Sequence, residues 1–215
     1  MFDLLPLFPL PNIVLFPNVF LPLHVFERRY REMVADALAS DRLIGMVLLR
    51  RGRGSDDEER PPVYPIGCTG VITHVERLLD GRYNIVLRGL QRFRIVEEDV
   101  SRPYRRAIAE WIEEPEIAGD DRDIIRHQRS RLEALLAPAT EHARAGPHAA
   151  ESSVPVTMGD EDLVNTLAQY LDLDPLEKQA LLERHGLRAR AESLVELLEM
   201  KAMASWVPWV LNLTH

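Results

Sequence analysis

The sequence predicts an α+β fold in which a small β-barrel is followed by a bundle of helices. Three observations indicate this class: prolines divide the apolar N-terminus into short extended pieces, segments of strand length follow up to residue 115, and the apolar spacing becomes helical from about residue 120. We therefore predict a barrel over residues 1–118 and a helical bundle over residues 119–215, with a flexible low-complexity connector at 137–158.

The barrel is expected to begin with a very apolar segment, "LFPLPNIVLFPNVFLPLHVFERRY" at residues 7–30. Prolines at short intervals exclude a helix, because each removes a backbone donor and clashes with the preceding turn. They also interrupt the apolar run that a secretory signal or a membrane span needs. We expect short strands with prolines at edges and corners. Four large side chains of this segment are predicted to be buried: Phe16, Leu21, Leu23 and Phe26.

One helix and five further strand segments complete the predicted barrel. The helix at residues 26–40 places six side chains on one face: Phe26, Tyr30, Met33, Val34, Ala37 and Leu38. The strand segments are "LIGMVLLR", "VYPIGCTGVITHVERLL", "RYNIVLRGL", "QRFRIVEE" and "YRRAIAEWIEE". Asp80-Gly81 is a hairpin signal between two of them, and the charged segment at 51–62 is predicted to be a mobile loop.

The second half of the chain carries start and stop signals for several helices. Asp174 suits an N-cap with Pro175 at the first helical position, and Gly186 is expected to stop that helix. A last long helix should begin near Arg188, and Pro208 is expected to end or kink it. Its predicted buried side chains are Ala191, Leu194, Val195 and Leu198.

Composition narrows the class of partner and the compartment. The net charge of −8 argues against nucleic acid as an obligatory partner, since nonspecific affinity for nucleic acid comes from cationic surface. The single cysteine, Cys68, excludes an internal disulfide and favours a reducing, cytoplasmic location. Its apolar surroundings in "IGCTGV" predict a buried side chain rather than a reactive thiol.

Three ordered segments carry a resemblance to a known family. "LPLFPLPNIVLFPNVFLPLHVFERRYREMV", "IGCTGVITHVERLLDGRYNIVLRGLQRFRIVE" and "LVNTLAQYLDLDPLEKQALLE" resemble successive parts of the N-terminal substrate-binding domain of Lon proteases. The resemblance implies a PUA-like pseudo-barrel followed by a helical bundle, and a role in binding polypeptide substrates. It covers most of the chain.

The sequence lacks the catalytic signatures of a full Lon protease. The chain has two lysines, Lys178 and Lys201, and neither lies in the G-x-x-x-x-G-K-[ST] loop that binds nucleotide phosphates. Lys201 and Ser205 are one helical turn apart, but without recognisable oxyanion machinery we favour a solvated helix face over a catalytic pair. We therefore predict a stand-alone, non-enzymatic form without ATPase or peptidase activity. No cofactor is predicted, and no metal site, because the seven histidines lack ligand spacing.

Residues for the predicted polypeptide site come mainly from the barrel. An extended chain is expected in an apolar groove between the barrel and the helical bundle, with strand addition at a proline-limited edge as one way of holding it. The candidates are His24, Tyr30, Met33, Arg88 and Arg92. His24 and His74 could also be satisfied core histidines. Around the "FE-x-RY" motif, Pro22, Phe26, Glu27 and Arg29 are interpreted as structural, with an ion pair favoured over ligand contact at Glu27 and Arg29.

An RNA-binding PUA-like domain is the alternative function. Seven arginines between residues 82 and 106 would supply the cationic strip for it. They are Arg82, Arg88, Arg92, Arg94, Arg102, Arg105 and Arg106. A solvated strand face is the competing interpretation of this strip. Predicted partners are thus polypeptides, with self-association left open, no membrane, and nucleic acid disfavoured.

Overall fold

The computed structural model describes residues 4–50, 61–144 and 158–211, with side chains described except at 137–144 and 204–211. The described residues form six strands and five helices. In chain order these are β1 (Leu5–Leu10), β2 (Phe20–Val25), α1 (Arg28–Leu38), β3 (Leu43–Leu48), β4 (Ile66–Arg77), β5 (Tyr83–Asp99), β6 (Arg105–Trp111), α2 (Gly119–Arg144), α3 (Asp160–Tyr170), α4 (Pro175–Glu183) and α5 (Gly186–Leu211). The predicted α+β class is confirmed.

The chain forms two compact units. The first contains Met1–Glu113 and Asn165–Glu183, and the second contains Glu114–Val164 and Arg184–His215. The predicted boundary at residue 118, between a barrel and a helical subdomain, stays a prediction. α2 continues through Arg144, so the first part of the predicted connector is helical. Residues 145–157 of that connector, and 51–60 of the predicted mobile loop, lie outside the described residues.

Five strands of the first unit close into a ring, and β2 is added outside it. The sheet order is β2-β5-β4-β3-β1-β6, and β6 pairs with β5 as well as with β1. β1 and β3 are parallel, and the chain between them includes β2 and α1, since parallel strands need a crossover connection. β2 pairs antiparallel with β5, and it is paired with no other strand among the described residues.

The ring closes because β5 is long enough to serve two neighbours on one side. β5 has 17 residues, and the two segments predicted as separate strands are therefore one. β4 pairs along one side of it, while β2 and β6 take the two halves of the other side. Register shifts in the β4 and β6 pairings bend the sheet, as bulges do. The predicted turn is confirmed: Gly81 has φ 82°, and Gly81 N–H donates to Leu78 O at 2.9 Å.

The core of the barrel confirms part of the predicted burial and corrects part. Phe16, Leu21 and Cys68 are buried, and Leu23 is half-buried. The buried face of α1 is Tyr30, Met33, Val34 and Ala37. Phe26 lies before α1 and is 62% exposed, so its predicted burial is wrong. The helix begins two residues later than the apolar spacing suggested, which removes Phe26 from its inward face.

The segment from Asn165 to Glu183 is fastened to the strands by polar groups. Gln169 Oε1 accepts from Phe16 N at 3.2 Å, and Gln179 Nε2 donates to Ile66 O at 2.9 Å. The predicted start of α4 at Asp174 and Pro175 is confirmed. The backbone N–H of Phe16 and the backbone carbonyl of Ile66 thus each have a glutamine side chain as hydrogen-bond partner, which positions this segment specifically against the strands.

The second unit is built on helix packing. α2 buries Ile125 and Leu132, and α5 buries Ala191, Leu194 and Val195, whereas Leu198 is half-buried. α5 continues to Leu211, so Pro208 does not end it, and the alternative that Pro208 kinks it stays a prediction. In the described part of the chain, no helix is long and apolar enough to cross a membrane.

Candidate functional site

The outward side of β2, β5 and β4 forms a continuous surface, which we call the outer sheet face. Register decides its members, because directly paired residues of neighbouring strands point to the same side. Phe20, Pro22 and His24 of β2 pair with Arg88, Val86 and Asn84 of β5. Across β5, Val86 and Asn84 pair with His74 and Glu76 of β4. The outer sheet face is defined as these eight residues.

The middle of the outer sheet face is a shallow apolar groove. It encloses about 350 Å³ and is lined by Pro22, Leu23, His24, His74, Asn84, Ile85 and Val86. Phe20 lies at one end of this surface, 50% exposed, and Phe26 lies beyond His24 at the other. The rings of His24 and Phe26 are stacked with centroids 6.2 Å apart. Exposed apolar side chains that adjoin one another in this way are typical of interaction surfaces.

A network of polar contacts holds the His24 ring in place. The His24 Nδ1 atom lies 2.7 Å from Asn84 Oδ1, and Arg82 Nη1 lies 3.2 Å from His24 Nε2. Because an amide oxygen accepts and a guanidinium donates, these contacts fit a neutral ring with its proton on Nδ1. Asn84 Nδ2 donates in turn to Glu76 Oε2 at 2.8 Å. The imidazole is thus oriented as a fixed wall of the groove.

Arg82 is neutralised by Asp80 beside this network. Arg82 Nε donates to Asp80 Oδ2 at 2.6 Å. The backbone N–H of Arg82, together with its guanidinium, holds the pKa of the exposed Asp80 carboxyl below its usual value. The charge of Arg82 is therefore balanced within the β4–β5 turn.

Arg88 lies at the Phe20 end of the outer sheet face. It is exposed, pairs in register with Phe20, and makes no ion pair with any carboxylate of the described residues. This arrangement leaves a guanidinium beside an exposed aromatic ring. It can donate two parallel hydrogen bonds to a carboxylate that arrives from solution.

The remaining arginines of the predicted strip do not form a free cationic surface. Arg92 is 2% exposed, and its Nη1 donates to Leu182 O at 2.8 Å. The others lie beside carboxylates: Arg82 with Asp80, Arg94 with Glu110, Arg102 with Asp36, Arg105 with Glu98 and Arg106 with Asp99. This balance of charge does not favour the RNA-binding alternative, which needs unpaired cations for phosphates.

Two of the five predicted binding residues, His24 and Arg88, lie on the outer sheet face. The other three are corrected because they are interior. Tyr30 is buried against Phe8 with ring centroids 4.5 Å apart, and this burial raises the pKa of the Tyr30 hydroxyl. Met33 is fully enclosed, and Arg92 binds the end of α4. None of these three side chains reaches the outer sheet face.

The "FE-x-RY" motif is organised locally. Arg29 Nη2 and Glu27 Oε2 form an ion pair at 2.9 Å, and the Arg29 guanidinium lies 4.6 Å from the Tyr30 ring centroid. Glu27 occupies the N-cap position of α1 without a capping bond from its side chain. Pro22 and Phe26, grouped with this motif in the sequence interpretation, are exposed at the outer sheet face and beside it.

Sequence reasoning missed Phe20, Glu76, Asn84 and Val86. A signal was present for Phe20: ring-bearing residues alternate with the aliphatic Leu21, Leu23 and Val25 along "FLPLHVF", which is typical of a strand with two different sides. Reading the whole N-terminal segment as core hid that alternation.

One other cavity offers less for binding. A larger cavity of about 480 Å³ lies near the end of α1, but its charged groups are engaged with one another: Tyr104 Oη donates to Asp36 Oδ2 at 2.6 Å, and Arg106 pairs with Asp99. Among the described residues, no group of three or more His, Cys, Asp and Glu side chains could hold a metal ion.

Comparison with known proteins gives a consistent result. A model of the ATP-dependent protease La (LON) substrate-binding domain family matches residues 4–200. Lon protease 2 of Myxococcus xanthus is 30% identical over 199 residues, which are 93% of this chain and 24% of that protein. The chain thus spans about a quarter of the length of this relative.

Two solved structures share the fold. A Lon N-terminal domain protein from Xanthomonas campestris superposes with a TM-score of 0.59 at 24% identity, over 90% of this chain and 98% of that one. The N-terminal domain of a Mycobacterium avium complex Lon protease gives a TM-score of 0.65 at 19% identity, over 92% and 98%.

Proposed function

Because this chain belongs to the family of the ATP-dependent protease La (LON) substrate-binding domain, we propose that it binds exposed apolar segments of polypeptides through the outer sheet face. The observation that carries this proposal is the groove between Pro22, His74 and Val86, flanked by the exposed ring of Phe20. Membership of the family supports a substrate-recognition module, and the apolar groove supports the kind of segment recognised.

The bound segment is proposed to lie over the face of the sheet rather than to extend it at the edge. Pro22 has no N–H to offer to an added strand. The carbonyl of Phe20 on that edge already accepts a hydrogen bond from Tyr170 Oη at 2.7 Å. Two backbone positions of a six-residue strand are therefore closed to β-augmentation, whereas the apolar side chains above them stay accessible.

Burial of apolar side chains supplies the attraction in this proposal. Each Å² of apolar surface removed from water contributes about 25 cal/mol, so a segment covering Phe20 and the groove gains affinity without a chemical step. We propose that the module is non-catalytic, because the sequence has neither a nucleotide loop nor a credible nucleophile–base pair. We also propose that it acts on polypeptides in the cytoplasm, since its single cysteine suits a reducing compartment. ATP or casein turnover that persists on purification and disappears in Lys201→Ala would contradict the non-catalytic part.

The test is a titration of the protein with a fluorescently labelled, permanently unfolded polypeptide, read by anisotropy. Phe20→Ala should weaken binding by about tenfold, which corresponds to the loss of about 1.4 kcal/mol of apolar contact. Val96→Ala is the matched control, because Val96 is 63% exposed on β5 but outside the outer sheet face. It should bind like the wild type.

Two results would contradict the proposal. One is undetectable binding of the unfolded polypeptide at high micromolar protein. The other is an equal loss of affinity in Phe20→Ala and Val96→Ala, since a nonspecific apolar surface would not distinguish them. Circular dichroism of each variant verifies that the fold is retained.

A further inference from the structure

The two ends of the outer sheet face carry opposite charges. Arg88 is at the Phe20 end, and Glu76 is at the His24 end, where it accepts a hydrogen bond from Asn84. Both side chains are exposed. The nearby Arg82 is balanced by Asp80 at 2.6 Å. A positive end and a negative end therefore remain, with the apolar groove between them.

Strand geometry fixes the separation of these charges. Arg88 and Asn84 are four residues apart on β5, and Glu76 is the direct neighbour of Asn84 on β4. At 3.3–3.4 Å per residue, four residues span about 13 Å. Val86 lies halfway along this distance and pairs with Pro22. An extended chain laid along β5 repeats the same spacing, because its residues i, i+2 and i+4 face the same side.

We infer that the outer sheet face selects extended segments in which an acidic and a basic residue lie four positions apart with an apolar residue midway. This inference rests on the proposed function and names the class of segment that the site takes. The acidic side chain pairs with Arg88, the apolar side chain enters the groove beside Val86, and the basic side chain approaches Glu76. The chain runs in either direction, since only the positions of the side chains are specified.

Selectivity for this class of segment also depends on unfavourable contacts with segments of the wrong charge. A segment with two acidic residues at these positions brings one carboxylate against Glu76, and a segment with two basic residues brings one cation against Arg88. Specificity arises from such mismatches as well as from matched contacts. Because the charges are exposed, each mismatch should weaken binding by about threefold, and this difference should shrink in 0.5 M salt.

The experiment uses three peptides that share one apolar residue and one spacing. They carry acid and base, acid and acid, or base and base at positions i and i+4. Binding to the isotopically labelled protein is measured from NMR shifts of the Val86 and His24 amides, which allows millimolar dissociation constants. The wild type should prefer the mixed peptide by about threefold over either like-charged peptide.

Charge-reversal variants should switch this preference. Arg88→Glu should favour the base–base peptide, and Glu76→Lys should favour the acid–acid peptide. The double variant should favour the mixed peptide again. Arg94→Glu is the matched control, because Arg94 is an exposed arginine of β5 outside the face, beside Glu110 at 3.9 Å. It should keep the wild-type preference.

The outcomes separate this inference from the proposed function. If the unfolded polypeptide binds but the three peptides bind equally, do not bind, or keep their order in Arg88→Glu and Glu76→Lys, the charge selection is overturned and polypeptide binding stands. If neither the unfolded polypeptide nor any peptide binds, the proposed function itself fails.

Discussion

β1 and β2 are two short strands of almost the same composition that occupy opposite environments. "LPLFPL" and "FLPLHV" are both six residues long, both contain proline, and both contain one phenylalanine. In β1 the phenylalanine, Phe8, is 4% exposed, whereas Phe20 of β2 is 50% exposed. The difference follows from what covers each strand: Phe8 packs on Tyr30 of α1 with ring centroids 4.5 Å apart, whereas the Phe20 ring on the outer sheet face stays half exposed. β1 lies between β3 and β6, while β2 is paired with β5 alone among the described strands.

The prolines of β1 occupy positions where a backbone donor is not needed. Leu10 O accepts from Leu49 N at 3.0 Å, so even-numbered residues of β1 direct their backbone groups toward the β3 side and odd-numbered ones toward β6. The backbone nitrogen of Pro6 therefore points toward β3, but the β1–β3 pairing begins only at Leu7. The backbone nitrogen of Pro9 points toward β6, but the β1–β6 pairing ends at Leu7. An inner strand tolerates two prolines because each lies beside an unpaired stretch.

The proline of β2 faces an open edge instead. Gly89 N donates to Val19 O at 2.9 Å, so the odd-numbered residues of this strand face β5, and Pro22 faces away from it. The same residue type thus avoids an unsatisfied donor in β1 and limits strand addition in β2. Similar composition leads to a buried element in one place and to an accessible surface in the other.

The largest expected effect tests this contrast with identical substitutions. Phe8→Ala removes a buried ring that packs on Tyr30 and should lower the free energy of unfolding by about 3–5 kcal/mol. Phe20→Ala, at an exposed position, should change it by less than about 0.5 kcal/mol. Urea unfolding of both variants measures the difference. Equal urea midpoints for the two variants would contradict the difference in burial between Phe8 and Phe20.

Phe26 gives a corollary to the same comparison. The burial predicted for Phe26 would make Phe26→Ala strongly destabilising, but its 62% exposure predicts a change within about 0.5 kcal/mol. Phe16→Ala, at a side chain with no exposed surface, replaces it as the destabilising change within the proline-rich segment.

A smaller effect is expected at Tyr104, just before β6, which is a neighbour of β1. Burial, reinforced by the Asp36 carboxylate, raises the pKa of Tyr104 from 10.0 to about 12. The neutral phenol is thus favoured in the folded state. Its contribution to stability is complete below pH 10 and is lost as the pH rises toward 12. Tyr104→Phe should cost about 1 kcal/mol near neutral pH and should remove this alkaline loss.

Spectrophotometric titration of the phenols, together with urea unfolding between pH 8 and about 12, measures both quantities. An unchanged alkaline slope of stability in Tyr104→Phe would contradict this assignment. The Asp36 contact would then have no role in holding β6 to α1.

The smallest effect on stability is expected at the β2 edge. Pro22→Thr should change the free energy of unfolding by less than about 0.5 kcal/mol, but it adds a donor to an open edge and should promote self-association at high protein concentration. Sedimentation velocity detects this. Pro9→Thr is the control: Pro9 is buried, so its new N–H should destabilise the protein by about 1–3 kcal/mol without association. A monomeric Pro22→Thr would contradict the edge interpretation.

Features that depend on a few consecutive residues were determined by the sequence alone. Four of the six side chains predicted on the inward face of α1 are buried, and the Asp80-Gly81 turn, the start of α4 at Pro175 and the burial of Cys68 agree with the structure. The physical reason is local: helical spacing, a backbone with positive φ, and N-terminal capping are specified within one turn of chain.

Which strands become neighbours was decided only by the tertiary structure. Phe20 meets Arg88 and Pro22 meets Val86 through pairing between segments far apart in sequence, and Arg92 is buried because the end of α4 covers it. Alternation along a strand shows that it has two sides, but a side becomes core only when another element covers it. The sequence therefore determined the elements and their class, while the closed pairing of β5 with β6 left β2 outside the ring and created the outer sheet face.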